Sequence, residues 1–461
     1  MSIYKPCDIR GDCSELSPNL YRQWGYALGL RLSPGSSFVA GGDVRTSTPA
    51  FLDALTNGFC RAGMCVINLG ILPTPMVYFA ARRLNALGCA IVTASHSPPS
   101  INGLKWMVDG FPPDEKEVQS LSEFPAEENE DGKQREGGAI EELDIEELYC
   151  EWLCQAWAKE SASVNTRIIL DPGNGAWCGR ALRVLQKVFP NTRLLSIHDR
   201  ADGTFPDRDP DSSSPAHLTA LSDTVRREHA DLGIAFDGDG DRVSFVDSDG
   251  QVLTAEETTW ILLQTFGQEL QESAFVHDIK FSDRIPEAAR EQGAHPMPQR
   301  SGHAFIRTRM IESSGCFGAE ISGHYFYGAL NGGDDGLYTA CRVITHLSKS
   351  CVALVDLRRA CFPVYMTPDL RLAVELARQD QVLDGIREAF SDRPQITVDG
   401  VRVNFPDGWA LVRKSVTESK LTFRFEGNST QSLDRIVRAY CSRLPELGHD
   451  LYAQYERKDT L

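Results

Sequence analysis

In the run FDGDGDR, residues 236–242, three aspartates stand at alternating positions with glycines between them. In an extended loop, residues i, i+2 and i+4 share one side, so Asp237, Asp239 and Asp241 can converge on a single cation. Hard carboxylate oxygens select a hard cation, and three of them joined by phosphate oxygens suit Mg2+. A calcium loop of the helix–loop–helix kind needs glycine at its sixth place and glutamate at its twelfth. The chain has Arg242 and Ser248 there, so that reading fails.

Three further stretches carry reactive or anion-binding side chains. TASHSPPSINGLK, residues 93–105, sets Ser95 beside His96, with two prolines and Asn102-Gly103 following. The apolar run at 89–92 reads as a buried strand, which places Ser95 on an exposed, stiffened loop with an Asn-Gly turn. A nucleophile and a plain turn residue both fit that setting, and no GxSxG elbow makes His96 a hydrolase base. GAEISGHYFYG, residues 318–328, gathers Glu320, Ser322 and His324 at i, i+2, i+4, a set suited to hydrogen bonding with sugar hydroxyls. RKSVTES, residues 413–419, offers Arg413, Lys414, Ser415 and Thr417; an arginine fork with two hydroxyls is what a phosphate dianion needs. Taken singly, the last two are equally compatible with solvated loops. CDIRG and GGDVRTSTP put Arg10 and Arg45 at strand or loop ends, and DIKFSD and RSGHAF bring Lys280 and His303. DPGNGAWCGRA follows a strand but lacks GxGxxG, and reads as a tight turn into a helix.

The elements that must position these loops alternate strand and helix. Ser17-Pro18, Thr48-Pro49 and Thr74-Pro75 are helix starts, each with proline at the first turn. Short apolar strands are expected at 38–40, 65–69 and 89–92. Residues 125–147, acidic and glycine-containing, read as a solvated loop or linker, followed by a helix with Leu148, Trp152 and Leu153 on its apolar side. A second α/β unit runs from Arg167 through the strand before Asp237 and a hairpin turned at Asp249-Gly250. A third opens on the capping box Thr254–Glu257. The last hundred residues change to hairpins and a closing helix, an α+β pattern.

Composition limits the partners. Lys and Arg number 47 against 64 acids, a formal charge of −17, which opposes general binding to nucleic acid or an anionic membrane. An anionic ligand must then be met by a few clustered basic residues. No apolar run approaches the roughly 20 residues that cross a bilayer, and the N-terminus has no signal-peptide core. The thirteen cysteines are scattered, without CxxC or zinc spacing, as expected of reduced thiols in a cytoplasm.

In order, TASHSPP, DGDGDR, GAEISGH and RKSVTES resemble the four loops of the α-D-phosphohexomutase superfamily, most closely its bacterial phosphomannomutase/phosphoglucomutase branch. The likeness spans essentially the whole chain, one loop per unit. It implies three successive α/β domains and a C-terminal α+β domain around a central cleft, bounded at 1–150, 151–253, 254–365 and 366–461, with a hinge around 363–369. It implies that Ser95 is the phosphoserine and that Asp237, Asp239 and Asp241, with Ser95, hold one Mg2+ per chain. Arg10, Lys105 and Arg242 would surround the phosphoserine and His96 would orient it. Glu320 and Ser322, with His324 beside them, would grip the sugar. Arg413, Ser415 and Thr417 would hold the far phosphate, and Lys280 and His303 would line the cleft. The general acid and base stay open among Lys105, His303 and Arg242. The implied reaction interconverts hexose 1-phosphate and hexose 6-phosphate, primed by a hexose 1,6-bisphosphate, in a monomer or dimer that binds hexose phosphates. A phosphoglucosamine mutase and a non-catalytic sugar-phosphate binder are the alternatives. An aspartyl-phosphate enzyme using Asp237 expects threonine four residues on, where the chain has Asp241. The chain also departs from the family pattern: Ser97, Val416, Ser419 and Ala319 replace the usual Asn, Asn, Pro and Gly, and DPDSSSP stands where an Asn-Pro is frequent.

Overall fold

Residues 2–124, 135–415 and 419–458 are described by the computed structural model. The first sheet runs in the order Ile9–Asp12, Ile101–Val108, Gly88–Val92, Ser37–Gly42, Cys65–Ile71, Ala139–Glu142. Its last four strands are mutually parallel, and Ile101–Val108 is antiparallel to both neighbours. The helices Pro18–Leu30, Thr48–Arg61 and Thr74–Arg83 begin where proline at the first turn predicts. Ser17 caps the first of them by accepting from Leu20 N–H at 3.3 Å.

The second sheet orders Val243–Asp247, Leu232–Phe236, Arg167–Asp171 and Arg193–Ser196; the third orders His295–Gln299, Ala274–Asp278, Phe317–Ala319, Tyr325–Tyr327 and Gly333–Asp334. The capping box at Thr254 and Glu257 is present, with both reciprocal bonds. The fourth sheet is antiparallel throughout, built on Val401–Phe405, Gly408–Lys414 and Lys420–Gly427, and backed by the helices Leu376–Ala389 and Thr430–Ser442. The serine, aspartate and glutamate loops leave the carboxyl ends of Gly88–Val92, Leu232–Phe236 and Phe317–Ala319, the ends of open α/β sheets at which ligands bind.

The first three units share one continuous core. Phe79, Trp152 and Tyr338 form an aromatic run across them, with Trp152 stacked on Tyr338 at 5.8 Å. The fourth unit has its own core around Leu370, Phe423, Phe425 and Tyr440. It meets the third through Ile279 packed with Trp409 and Leu411, and through polar contacts: Arg402 donates to Ile279 O at 2.9 Å, and Glu426 accepts from Asp283 N at 3.0 Å. A large shared core resists relative motion, whereas a small, partly polar joint permits it.

Four expectations need correction. Asn102 and Gly103 do not form a turn; they lie inside Ile101–Val108, paired with Gly11 and Arg10. Of the expected linker, residues 125–134 fall outside the described residues, and Ala139–Glu142 is an edge strand parallel to Cys65–Ile71. Its side chains are all exposed, so no period-two pattern marks it. The helix Glu146–Ala156 buries Tyr149, Cys150 and Leu153 and exposes Leu148, a shift in helical phase. In the expected hinge, Tyr365 and Met366 pair with Gly427 and Glu426, which ties that stretch to the fourth sheet.

Gly103 shows how closely the first strand must approach the serine loop. A Cβ there would stand 2.2 Å from Ile9 O and 3.0 Å from Thr93 O, both backbone atoms. Gly103→Ala is expected to destabilise the protein by about 1–3 kcal/mol, read by urea unfolding; an unchanged midpoint would show that the sheet yields at no cost.

Candidate active site

Ser95 is buried, 1% exposed, not on the exposed loop its sequence suggests. Its φ of +52° is left-handed, a conformation costing a non-glycine residue roughly 1 kcal/mol or more, so surrounding contacts must impose it. Those contacts form a ring. Ser95 N–H donates to Thr93 Oγ1 at 2.8 Å, Thr93 Oγ1 donates to Asp43 Oδ2 at 2.7 Å, and Asp43 pairs with Arg45 Nε at 3.1 Å. The Arg45 guanidinium returns to the loop, donating to the carbonyls of Ser95 at 2.8 Å, Pro98 at 2.7 Å and Ile101 at 2.8 Å. Phe205, from the second unit, lies against the same guanidinium at 5.3 Å. The sequence marked Arg45 only as a basic residue at a loop end. The signal for its role was Asp-x-Arg directly after a buried strand, a pair that must find partners inside.

Ser95 Oγ donates to Asp237 Oδ2 at 2.8 Å and lies 3.4 Å from His96 Nδ1. The oxygens of Asp237, Asp239 and Asp241 lie within 4.8 Å of one another, all buried. Burial, then Asp239 and Asp241, pushes the Asp237 carboxyl well above the usual range. The loop is fixed by three hydrogen bonds from two residues. Trp177 Nε1 donates to Gly240 O at 2.9 Å, Thr74 Oγ1 to Asp239 Oδ2 at 2.8 Å, and Thr74 N, at the start of a first-unit helix, to Asp239 O at 2.9 Å. Lys105 Nζ sits 3.0 Å from Asp239 Oδ2 and 2.7 Å from Asp241 Oδ2. Burial lowers the Lys105 pKa, but Asp239 and Asp241 raise it more, so it stays an ammonium. Asp239 Oδ1 is buried without a hydrogen-bond partner among the described residues. Three converging carboxylates, one orphaned oxygen and an ammonium already drawn to the group fit a hard divalent cation at this place.

Two further cations complete the surround, Arg242 from the same loop and His324 from the third unit. Arg242 Nε is 3.6 Å from Asp237 Oδ2. His324 sets Nε2 3.0 Å from Asp241 Oδ1 and Nδ1 3.0 Å from both Glu320 Oε2 and Ser322 Oγ. Against the effect of burial, Asp241 drives the His324 pKa up to about 10, so the ring is an imidazolium. Burial opposes ionisation of Glu320 too, but the bond to His324 takes it down to about 2. Asp334, which the sequence did not single out, stands 3.7 Å from His324 Nε2. Arg10 donates to Ser97 Oγ at 3.2 Å and to Asp8 Oδ2 at 2.8 Å. Ser97, the departure in the serine loop, is thus an anchor for Arg10.

A cavity of about 210 Å³ opens in front of this cluster, lined by Arg10, Arg242, His303, Glu320 and His324 among others. His96 and His303 are kept neutral, first by burial and then by surrounding cations, with His303 taken down to about 3. A neighbouring cavity of about 690 Å³ is lined by Lys5, Arg300, Asp399, Lys414 and Ser415, and Lys5, Pro6 and Arg300 border both. Arg413 lines neither cavity, but its Nε lies 3.0 Å from Oδ2 of the lining residue Asp399. Lys280 Nζ is 3.7 Å from Asp278 Oδ2, and lines neither cavity. Thr417 lies outside the described residues. No helix among the described residues is long and apolar enough to cross a membrane.

Comparison with known proteins agrees with this geometry. Family models for phosphoglucomutase/phosphomannomutase match residues 2–131 (alpha/beta/alpha domain I), 147–250 (domain II), 255–365 (domain III) and 370–441 (C-terminal domain). The chain is 30% identical to a phosphomannomutase/phosphoglucomutase of Pseudomonas aeruginosa, covering 98% of this chain and 97% of that one. It is also 30% identical to a phosphoglucomutase of Neisseria meningitidis, with 95% of each covered. A crystal structure of a phosphoglucomutase/phosphomannomutase family protein from Burkholderia thailandensis superposes with a TM-score of 0.87 at 28% identity, covering 96% of each chain. The chain belongs to the phosphoglucomutase/phosphomannomutase family.

The state of His303 is open to direct measurement. Its folded pKa lies below the ordinary 6.5, so between 6.5 and about 3 the unfolded chain holds a proton that the folded one does not. The His303 contribution should therefore lower stability as pH falls below 6.5, and Asn in its place should flatten that slope in urea titrations. Nitrogen-15 shifts of the ring should stay those of a neutral imidazole from pH 8 to pH 5; a midpoint near 6.5 would contradict the assignment.

Proposed function

We propose that this phosphohexomutase, an intramolecular phosphotransferase, interconverts hexose 1-phosphate and hexose 6-phosphate through a phosphoryl group carried on Ser95. Mannose and glucose phosphates are the proposed substrates, as the names of the relatives suggest. The observation that carries the reading is the Ser95 hydroxyl, bonded at 2.8 Å to Asp237 inside a buried acidic cluster, with a second basic loop across the adjoining cavity.

Phosphoryl transfer asks the protein for placement and charge balance more than for covalent chemistry. The ring through Thr93, Asp43 and Arg45 fixes the Ser95 backbone, so Oγ has one direction of approach. Asp237, Asp239 and Asp241 would hold one Mg2+, which supplies positive charge beside the phosphoryl group when bound. Arg10, Lys105 and Arg242 balance further charge on the phosphoryl oxygens, and His96 orients the serine. Glu320 and Ser322, held by the His324 imidazolium, accept and donate to sugar hydroxyls. His303, neutral and facing the 210 Å³ cavity, takes the proton of the attacking sugar hydroxyl as the phosphoryl group passes from Ser95 Oγ to the sugar oxygen. The released Ser95 Oγ regains a proton from solvent in exchange for the one His303 sheds, leaving a hexose 1,6-bisphosphate. Arg413, Ser415 and Thr417 clamp the phosphate that is not reacting, with Lys280 nearby. A hexose 1,6-bisphosphate then turns in the cleft, returns its other phosphoryl group to Ser95, and serves as primer from solution. All thirteen cysteines are free, which suits a reducing cytoplasm.

With glucose 1-phosphate or mannose 1-phosphate and a hexose 1,6-bisphosphate primer, Ser95→Ala should lose turnover by more than about 10³-fold while still binding hexose phosphate. Full activity in that variant would sink the proposal. Chelation of divalent cations should stop the wild-type reaction and added Mg2+ restore it; turnover that survives exhaustive chelation would remove the metal from the scheme.

A further inference from the structure

We propose that Asp399 is an internal competitor for the far-phosphate seat. Its carboxylate stands between Arg413 and Arg300 where the substrate's phosphate binds, and its return helps that phosphate leave. The inference rests on the phosphate-clamp reading of Arg413 given above.

The placement is built into the backbone. Asp399-Gly400 turns between Gln395–Ile396 and Val401–Phe405, with Gly400 at φ +73°. A Cβ on Gly400 would lie 2.0 Å from Val412 O and 2.8 Å from Arg413 Cα, so only glycine lets the turn press onto the strand that carries Arg413. That contact sets the Asp399 carboxylate 3.0 Å from Arg413 Nε and 3.9 Å from Arg300 Nε of the third unit. The side chains of Asp399 and Arg413 are 10% and 12% exposed.

The pairing is close but poorly directed. Arg413 Nε, Arg300 Nε and Asp399 Oδ2 are all buried without a hydrogen bond of good geometry among the described residues. Two guanidinium groups thus face one carboxylate and direct no Nε–H onto it. Arg300 is held from behind by Phe305, 4.4 Å from the ring centroid, and borders both cavities. A seat with two cationic forks and a single carboxylate keeps net positive charge. A phosphate dianion brings twice the charge and three acceptor oxygens, so it competes with the carboxylate for the two guanidinium groups. While phosphate is bound, Asp399 remains a like charge beside it and weakens its hold. An intermediate that must leave, turn and rebind needs such a seat, because one gripping too tightly would trap it.

Isothermal titration of the full-length, Mg2+-loaded protein with inorganic phosphate tests this, together with steady-state kinetics on glucose 1-phosphate. Asp399→Asn, and Asp399→Ser as a second variant, should bind phosphate about tenfold more tightly, as removal of one like charge in a half-solvated cleft predicts. KM and kcat should fall together, because release slows. Arg300→Ala in the Asp399→Asn background should reverse the gain. Unchanged or weaker phosphate binding in both Asp399 variants would overturn the inference and make Asp399 a mere support for Arg413. Arg413→Ala separates the two readings: if it leaves phosphate affinity unchanged, the clamp itself is wrong.

Discussion

Three buried carboxylates held within 4.8 Å of one another set the terms for the whole molecule. At an effective dielectric constant of about 20, each pair repels by about 3 kcal/mol, and burial adds a desolvation cost to every charge. The balancing cations come from different places: Lys105 from the first sheet, Arg242 from the end of the aspartate loop itself, and His324 from the third unit. The acidic loop is therefore tolerable only when the first three units are assembled. Their shared core is the apolar side of the same requirement. Among the described residues the fourth unit contributes no charge to this cluster, and it keeps a separate core.

The strained serine loop follows from the same arrangement. A left-handed Ser95 aims its hydroxyl at Asp237, and the conformation persists because Arg45 donates to four carbonyls, those of Ser95, Ser97, Pro98 and Ile101. Arg45 in turn is covered by Phe205, a second-unit residue that is itself left-handed at φ +49°. The fixed placement of the Ser95 hydroxyl is in this sense a property of two units, not of one loop. Ser97 finds its place here as well: its side chain accepts from Arg10 and its carbonyl from Arg45.

Much of this was legible in the sequence, and the failures share a cause. Proline at the first turn marked three helix starts, the capping box at Thr254 marked a fourth, and the alternating aspartates pointed to a shared cation site. These are local rules, carried by adjacent residues. Burial of Ser95 was not legible, because it comes from a loop more than a hundred residues away. Asn102-Gly103 has turn composition, yet the close approach of Ile9 made glycine a strand residue. The edge strand Ala139–Glu142 exposes both faces and so shows no alternation. Leu148 and Tyr149 differ by one helical position, and only the partners Phe79 and Trp177 decide which faces inward. Asp399-Gly400 was not singled out, because its second partner, Arg300, comes from another unit.

The continuous aromatic run of Phe79, Trp152 and Tyr338 bears on how the chain is made. Tyr149, beside it, donates to Asp335 at 2.7 Å, and that aspartate caps the helix Gly336–Ser350. As the chain leaves the ribosome, the first sheet can pair its strands early, but one flank of the helix Glu146–Ala156 stays bare until residues near 340 emerge. At synthesis rates of roughly 5–20 residues per second, that interval lasts about ten seconds or more. For that time an apolar aromatic face is open to chaperones and to neighbouring nascent chains, whereas the fourth unit, with its own core, can close last and alone.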